Sequence, residues 1–135
     1  MMADNAKEKM AQKILIVDDE RDYVALLSEI LTTHGYEVSS AYDGQQAIDM
    51  VSKDKPDLII LDIKMPKLNG WEVGKFLSSD MRYNNIPFLI LTACNDFDDI
   101  KSGMRLGAVS YIAKPFKQEV LLALVDGLMN KKYST

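Results

Sequence analysis

Five side chains able to do chemistry stand at the ends of apolar runs. In "ILIVDDE" (14–20) two adjacent aspartates, Asp18 and Asp19, follow four branched residues; "DLIILD" (57–62) ends in Asp62, "FLILT" (88–92) in Thr92, and "GAVSYIAKP" (107–115) brings Lys114 against Pro115. Each alone has an ordinary use: aspartates cap helices or make turns, a threonine ends a strand, and a lysine is solvated. Together they demand more, because three carboxylates gathered in one place repel unless a cation or a lysine neutralises them. Carboxylates and waters are what a hard divalent ion such as Mg2+ takes as ligands. A carboxylate whose charge is offset in this way can attack phosphorus and form an aspartyl phosphate. Lys114 and the Thr92 hydroxyl would then stabilise the transferring group.

The elements that must position these residues show in the hydrophobic periodicity. "ILIV" (14–17), "DLIIL" (57–61), "FLIL" (88–91) and the weaker "VSYI" (109–112) read as strands buried on both faces of a parallel sheet, while "YEVSSA" (36–41) alternates like an edge strand. Between them the period changes to that of helices. Tyr23, Leu26, Leu27, Ile30, Leu31 and His34 form one stripe, stopped by Gly35. Ala47, Ile48 and Val51 form a second after Asp43, and Trp71, Val73, Phe76 and Leu77 a third after Asn69 and Gly70. Phe97, Ile100 and Met104 after the capping-type Asp96 make the fourth, and Val120, Leu121, Leu124, Val125 and Leu128 the fifth. Five β-α repeats with short turns and right-handed crossovers predict an α/β fold, a doubly wound parallel sheet with five helices. The strand order 2-1-3-4-5 buries strands 1, 3 and 4 and leaves the alternating strand 2 at an edge. Ligands in such sheets bind beyond the carboxyl ends of the strands, here between strands 1 and 3.

With 135 residues, one domain is expected, large enough to bury roughly 68–70% of its unfolded surface. Residues 1–12 are polar and lack an apolar core, so they read as a flexible leader rather than a secretory signal, and 13–132 as the domain. The apolar runs are far shorter than the ~20 residues of a bilayer crossing, which argues against a membrane. A single cysteine, Cys94, excludes an internal disulfide and fits a reducing compartment, so a cytoplasmic location is expected. A net charge of −4 argues against direct nucleic-acid binding.

The runs "ILIVDDE", "DLIILDIKMPKLNGWE" (57–72), "FLILTA" (88–93) and "GAVSYIAKPF" (107–116), in this order and spacing, resemble the response-regulator receiver domain of two-component signalling, a flavodoxin-like fold. The resemblance covers 13 to about 130. It implies that Asp62 is the phosphoacceptor, that Asp19, Asp62 and the backbone carbonyl of Lys64 bind Mg2+, and that Asp18 assists through a water. It implies that Thr92 is the switch hydroxyl, that Lys114 pairs with the phosphoryl group, that Tyr111 changes rotamer with Thr92, and that the Lys114–Pro115 bond is cis. The implied partner is a sensor histidine kinase or phosphotransfer protein. Phosphorylation would then alter the face of the fourth helix, fifth strand and fifth helix, in a monomer or a phosphorylation-dependent dimer. Lys64 and Cys94 stand two residues beyond Asp62 and Thr92, where family members vary and where water access to the phosphoryl group is set.

Rival chemistries lack their residues. A haloacid-dehalogenase-type phosphatase wants a second aspartate two beyond the nucleophile, where this chain has Lys64. A dinucleotide or P-loop site needs a glycine-rich turn after strand 1, which Asp18, Asp19 and Glu20 occupy. The alternatives left open are a degenerate receiver acting as a phosphorylation-independent interaction module, and a receiver excised from a longer regulator. Ending soon after the fifth helix, the sequence leaves no room for an output domain, so a stand-alone regulator, a phosphorelay intermediate or an excised receiver is expected; the resemblance implies a phosphoacceptor signalling domain rather than an enzyme.

Overall fold

Apolar residues fill every position of 14–17, 58–61 and 88–91, so these segments have no face to offer water and must lie inside a sheet covered on both sides. The computed structural model describes residues 12–63, 70–93 and 97–132. Its elements run β1 (Lys13–Val17), α1 (Arg21–Thr33), β2 (Glu37–Ala41), α2 (Gly44–Lys53), β3 (Leu58–Asp62), α3 (Gly70–Ser79), β4 (Phe88–Ala93), α4 (Phe97–Arg105), β5 (Ser110–Lys114) and α5 (Gln118–Lys132). The five strands are parallel in the order β2-β1-β3-β4-β5, the flavodoxin-like arrangement expected. Lys64, Cys94 and Asp96 lie outside the described residues.

Alternation along the strands divides the core in two. Leu15, Val17, Ile59, Leu61 and Ile90 face α2 and α3 through Ala47, Val51, Val73 and Leu77. Ile14, Ile16, Leu58, Ile60, Leu89, Leu91 and Ile112 face α1 and α5 through Val24, Leu27, Leu31, Leu121, Val125 and Met129. Both layers are needed, since a two-sided apolar strand exposes half its side chains if either is missing.

Local signals in the sequence set the helix ends. Asp43 accepts from the Gln46 N–H at 2.8 Å and caps α2. At the other end of α1, Gly35 has φ of 103°, with its N–H donating to Thr32 O at 3.0 Å and that of Tyr36 to Leu31 O at 3.1 Å. This pair of bonds is the Schellman closure, which requires a left-handed residue and therefore favours glycine.

Three helices differ from their sequence stripes. Leu26 of α1 and Val120 of α5 are exposed, their places in the core being taken by Val24 and Met129. The larger difference is in α4, where Phe97 is 67% and Met104 44% exposed, and among its described residues only Gly103 is buried. Gly103 lies six residues from Phe97, roughly 120° around the helix axis. A Cβ there would come within 1.8 Å of Ile90 Cδ1, so the helix backbone itself rests on β4 by the glycine face.

Candidate functional site

The strand register brings the predicted residues to one edge. Val17 pairs with Leu61, so Asp18 and Asp62 leave adjacent strands side by side. Asp62 pairs with Leu91, and Thr92 and Ala93 pair with Ala113 and Lys114. Four strands thus end around one cleft of about 320 Å3 lined by Asp19, Glu20, Asp62, Thr92, Ala93 and Lys114. The next helix starts tight against it. A Cβ on Gly70 would lie 2.6 Å from the Asp62 carbonyl oxygen and 2.3 Å from Ile63 Cα, so only glycine lets α3 begin this close to the end of β3.

Asp18 is fully buried, Asp62 is 6% exposed and Thr92 is buried, whereas Asp19 is exposed on the rim. Buried carboxylates need partners. The Glu20 N–H donates to Asp18 Oδ1 at 3.0 Å, and the Lys114 ammonium stands 3.1 Å from Asp18 Oδ2, an ion pair without hydrogen-bond geometry. The same ammonium donates to Glu20 Oε1 at 2.6 Å and to Asp62 Oδ2 at 3.4 Å, and lies 4.4 Å from the centre of the Tyr23 ring. Burial works against the charge on Lys114. The hydrogen bond to Glu20 and the charges of Asp62 and Asp18 outweigh it and hold the ammonium well above the usual lysine range. The Lys114–Pro115 peptide is cis, as the resemblance implied.

The carboxylates of Asp18, Glu20 and Asp62 offer oxygens within 4.8 Å of one another. A set of hard oxygen donors, two of them buried, whose charge exceeds the single lysine among them, suits a hard divalent cation such as Mg2+. Glu20 is the member that sequence reasoning passed over, having treated it as part of an acidic turn. The signal was present in the D-D-E run, but only the turn geometry shows that the third side chain folds back over the cleft. Lys64, assigned a carbonyl ligand, falls outside the described residues. Tyr111 is 43% exposed on β5. Its pairing with Ile90, two residues before Thr92, puts Tyr111 and Thr92 on the same face of the sheet.

A flavodoxin-like sheet with a carboxylate cluster, a threonine and a lysine beyond its strand ends forms an acidic pocket where ligands bind in such folds. The chain belongs to the response regulator receiver domain family, whose model matches residues 14–126. It is 39% identical over 122 residues to the response regulator MprA of Mycobacterium bovis, an alignment covering 90% of this chain and 52% of that protein. The chain therefore spans about half the length of the curated relatives it matches. Among solved structures it resembles chemotaxis protein CheY4 of Vibrio cholerae, with TM-score 0.82, 33% identity, and coverage of 87% of this chain and 98% of that one. It also resembles the signal receiver domain of a signal transduction histidine kinase from Syntrophus aciditrophicus, with TM-score 0.85, 33% identity, and coverage of 93% and 95%. Receivers are signalling domains of two-component systems rather than classical enzymes, and they work with histidine kinases or phosphotransfer proteins. Among the described residues no helix is long and apolar enough to cross a membrane.

Proposed function

We propose that this chain takes a phosphoryl group from a phosphohistidine onto Asp62 and passes the change on through the face of α4, β5 and α5. The observation that carries this reading is the convergence of Asp62, Asp18 and Glu20 within 3.4 Å of the Lys114 ammonium at the β1–β3 switch point. An Asp62 carboxylate oxygen attacks phosphorus, the P–N bond to the donor imidazole breaks, and its electron pair returns to the ring. Lys114 pairs with the phosphoryl oxygens, and the Thr92 hydroxyl donates to one of them. Asp19 and Asp62, with the Lys64 carbonyl, would hold Mg2+ and Asp18 would assist through a water; the ion would offset charge on the transferring group. Thr92 moving inward leaves room for Tyr111 on the same face, and the two conformations differ in affinity for a downstream protein. Residues 13–132 act as the receiver unit, working in the cytoplasm.

Intact-mass spectrometry after incubation with Mg2+ and acetyl phosphate tests this reading. A single phosphoryl adduct is expected, absent in Asp62→Asn and absent when a chelator is added. No adduct in the parent protein would overturn it in favour of a phosphorylation-independent interaction module.

A further inference from the structure

Lys114 has three carboxylates within reach and sits closest to the one that belongs to neither the phosphoacceptor nor its buried neighbour. The distances are 2.6 Å to Glu20, 3.1 Å to Asp18 and 3.4 Å to Asp62. Glu20 is also the most exposed of the three partners, with 56% of its side-chain surface accessible against 0% for Asp18 and 8% for Asp62. An ammonium in a cleft with two buried carboxylates gains most by settling between them, where water competes least. Here it reaches both buried carboxylates, but its shortest contact is to Glu20 at the rim, which accepts its hydrogen bond at 2.6 Å, with the Tyr23 ring 4.4 Å away.

We propose that Glu20 is a positioning residue that shares the Lys114 ammonium with Asp18 and Asp62 in the resting domain and so weakens its hold on those two carboxylates, which lets a divalent cation compete for them. The inference rests on the receiver reading and adds a residue to it. A lysine lying on the two buried carboxylates competes with Mg2+ for the same oxygens and repels it. With Glu20 taking the shortest of the three Lys114 contacts, the cation and the ammonium share the cleft with less conflict. The lysine then changes partner, from Glu20 to phosphoryl oxygens, when Asp62 is modified.

The competing role for Glu20 is as a direct ligand, since its carboxylate lies within the same cluster. A double-mutant cycle separates the two. Mg2+ is titrated into the full chain, its Glu20→Gln and Lys114→Met variants and the double variant, with the dissociation constant read from backbone amide shifts. If Glu20 acts through Lys114, Glu20→Gln weakens Mg2+ binding by about fivefold or more when Lys114 is present and by no more than about twofold in the Lys114→Met background. The same weakening in both backgrounds, or none in the first, overturns the role proposed for Glu20 while leaving the receiver reading intact. No Mg2+ binding by the parent chain overturns both. A second readout needs no metal: Lys114 ε-methylene protons near the Tyr23 ring carry a ring-current shift, and Glu20→Gln should move it toward the random-coil position. An unchanged shift counts against the proposal.

Discussion

Helices α1 and α4 each carry the chain from one parallel strand to the next, yet they are held in different ways. α1 buries Val24, Leu27, Ile30 and Leu31 against β1 and β3, and it ends in a closed, glycine-dependent turn. α4 lies on the other face and is seated by the backbone of Gly103, with Phe97 and Met104 turned to solvent. The first arrangement fixes the strand that delivers Asp18. The second leaves a helix whose place is determined by few apolar contacts, and such elements are the ones a small change at a site can move. On the proposed function, the strand that delivers Asp18 belongs to the tightly packed part of the molecule and the readout would fall to the loosely packed α4.

The difference predicts unequal costs for truncating side chains of similar size. Leu27→Ala removes a fully buried side chain and should cost about 2–5 kcal/mol. Met104→Ala removes one that is 44% exposed and should stay within about 0.5 kcal/mol. Urea unfolding of the two variants measures both. Comparable losses would mean that α4 is as firmly seated as α1 and would remove the contrast.

A sharper version concerns Tyr111. Because its side chain is partly in solvent and does not line the cleft, Tyr111→Ala should leave the yield of phosphoryl adduct unchanged. The amide shift changes that phosphorylation causes along α4 should shrink. Loss of the adduct in this variant would place Tyr111 in the chemistry rather than in the readout.

The sequence carried the strand order and the site for the same physical reason. Unbroken apolar runs admit only a doubly covered sheet, and a polar side chain at the end of a strand has one edge to go to, so the convergence of Asp18, Asp62, Thr92 and Lys114 on that edge was legible. Helix faces were read less well, because periodicity finds an apolar stripe without saying whether it meets anything. Phe97, Ile100 and Met104 form a regular stripe, but a glycine six residues after Phe97 offers a closer approach to Ile90, and close packing won over side-chain burial. Glu20 was missed because nothing in its spacing shows that the turn folds it back onto Lys114. His34 closes the first stripe before Gly35, and it does end α1 as the C-cap, but periodicity carries no sign of its partner 92 residues away.

That partner, Asp126 of α5, supplies the smallest of the expected effects and the one that tests how α1 is tied down. His34 Nε2 lies 2.9 Å from Asp126 Oδ2, and the Tyr36 hydroxyl donates to Asp126 Oδ1. Partial burial works against the charge on Asp126, but the hydrogen bonds from Tyr36 and His34 outweigh it and hold the carboxyl below its ordinary value of 3.8. A folded-state value lower than the unfolded one means that the tie stabilises the domain above about pH 4 and that this contribution is lost as pH falls through the folded-state value. Both side chains of the His34–Asp126 pair are more than a third exposed, 42% and 38%, so solvent screening keeps the effect small. The Asp80 carboxyl, held at about 2 by its hydrogen bonds with Arg82, titrates nearby but is common to parent and variant and cancels in the comparison. Melting temperatures at pH 7 and at about pH 3 should therefore fall less between the two conditions in Asp126→Asn than in the parent, because the variant has already lost the charge that acid removes. Equal falls would show that α1 is held by its buried face alone.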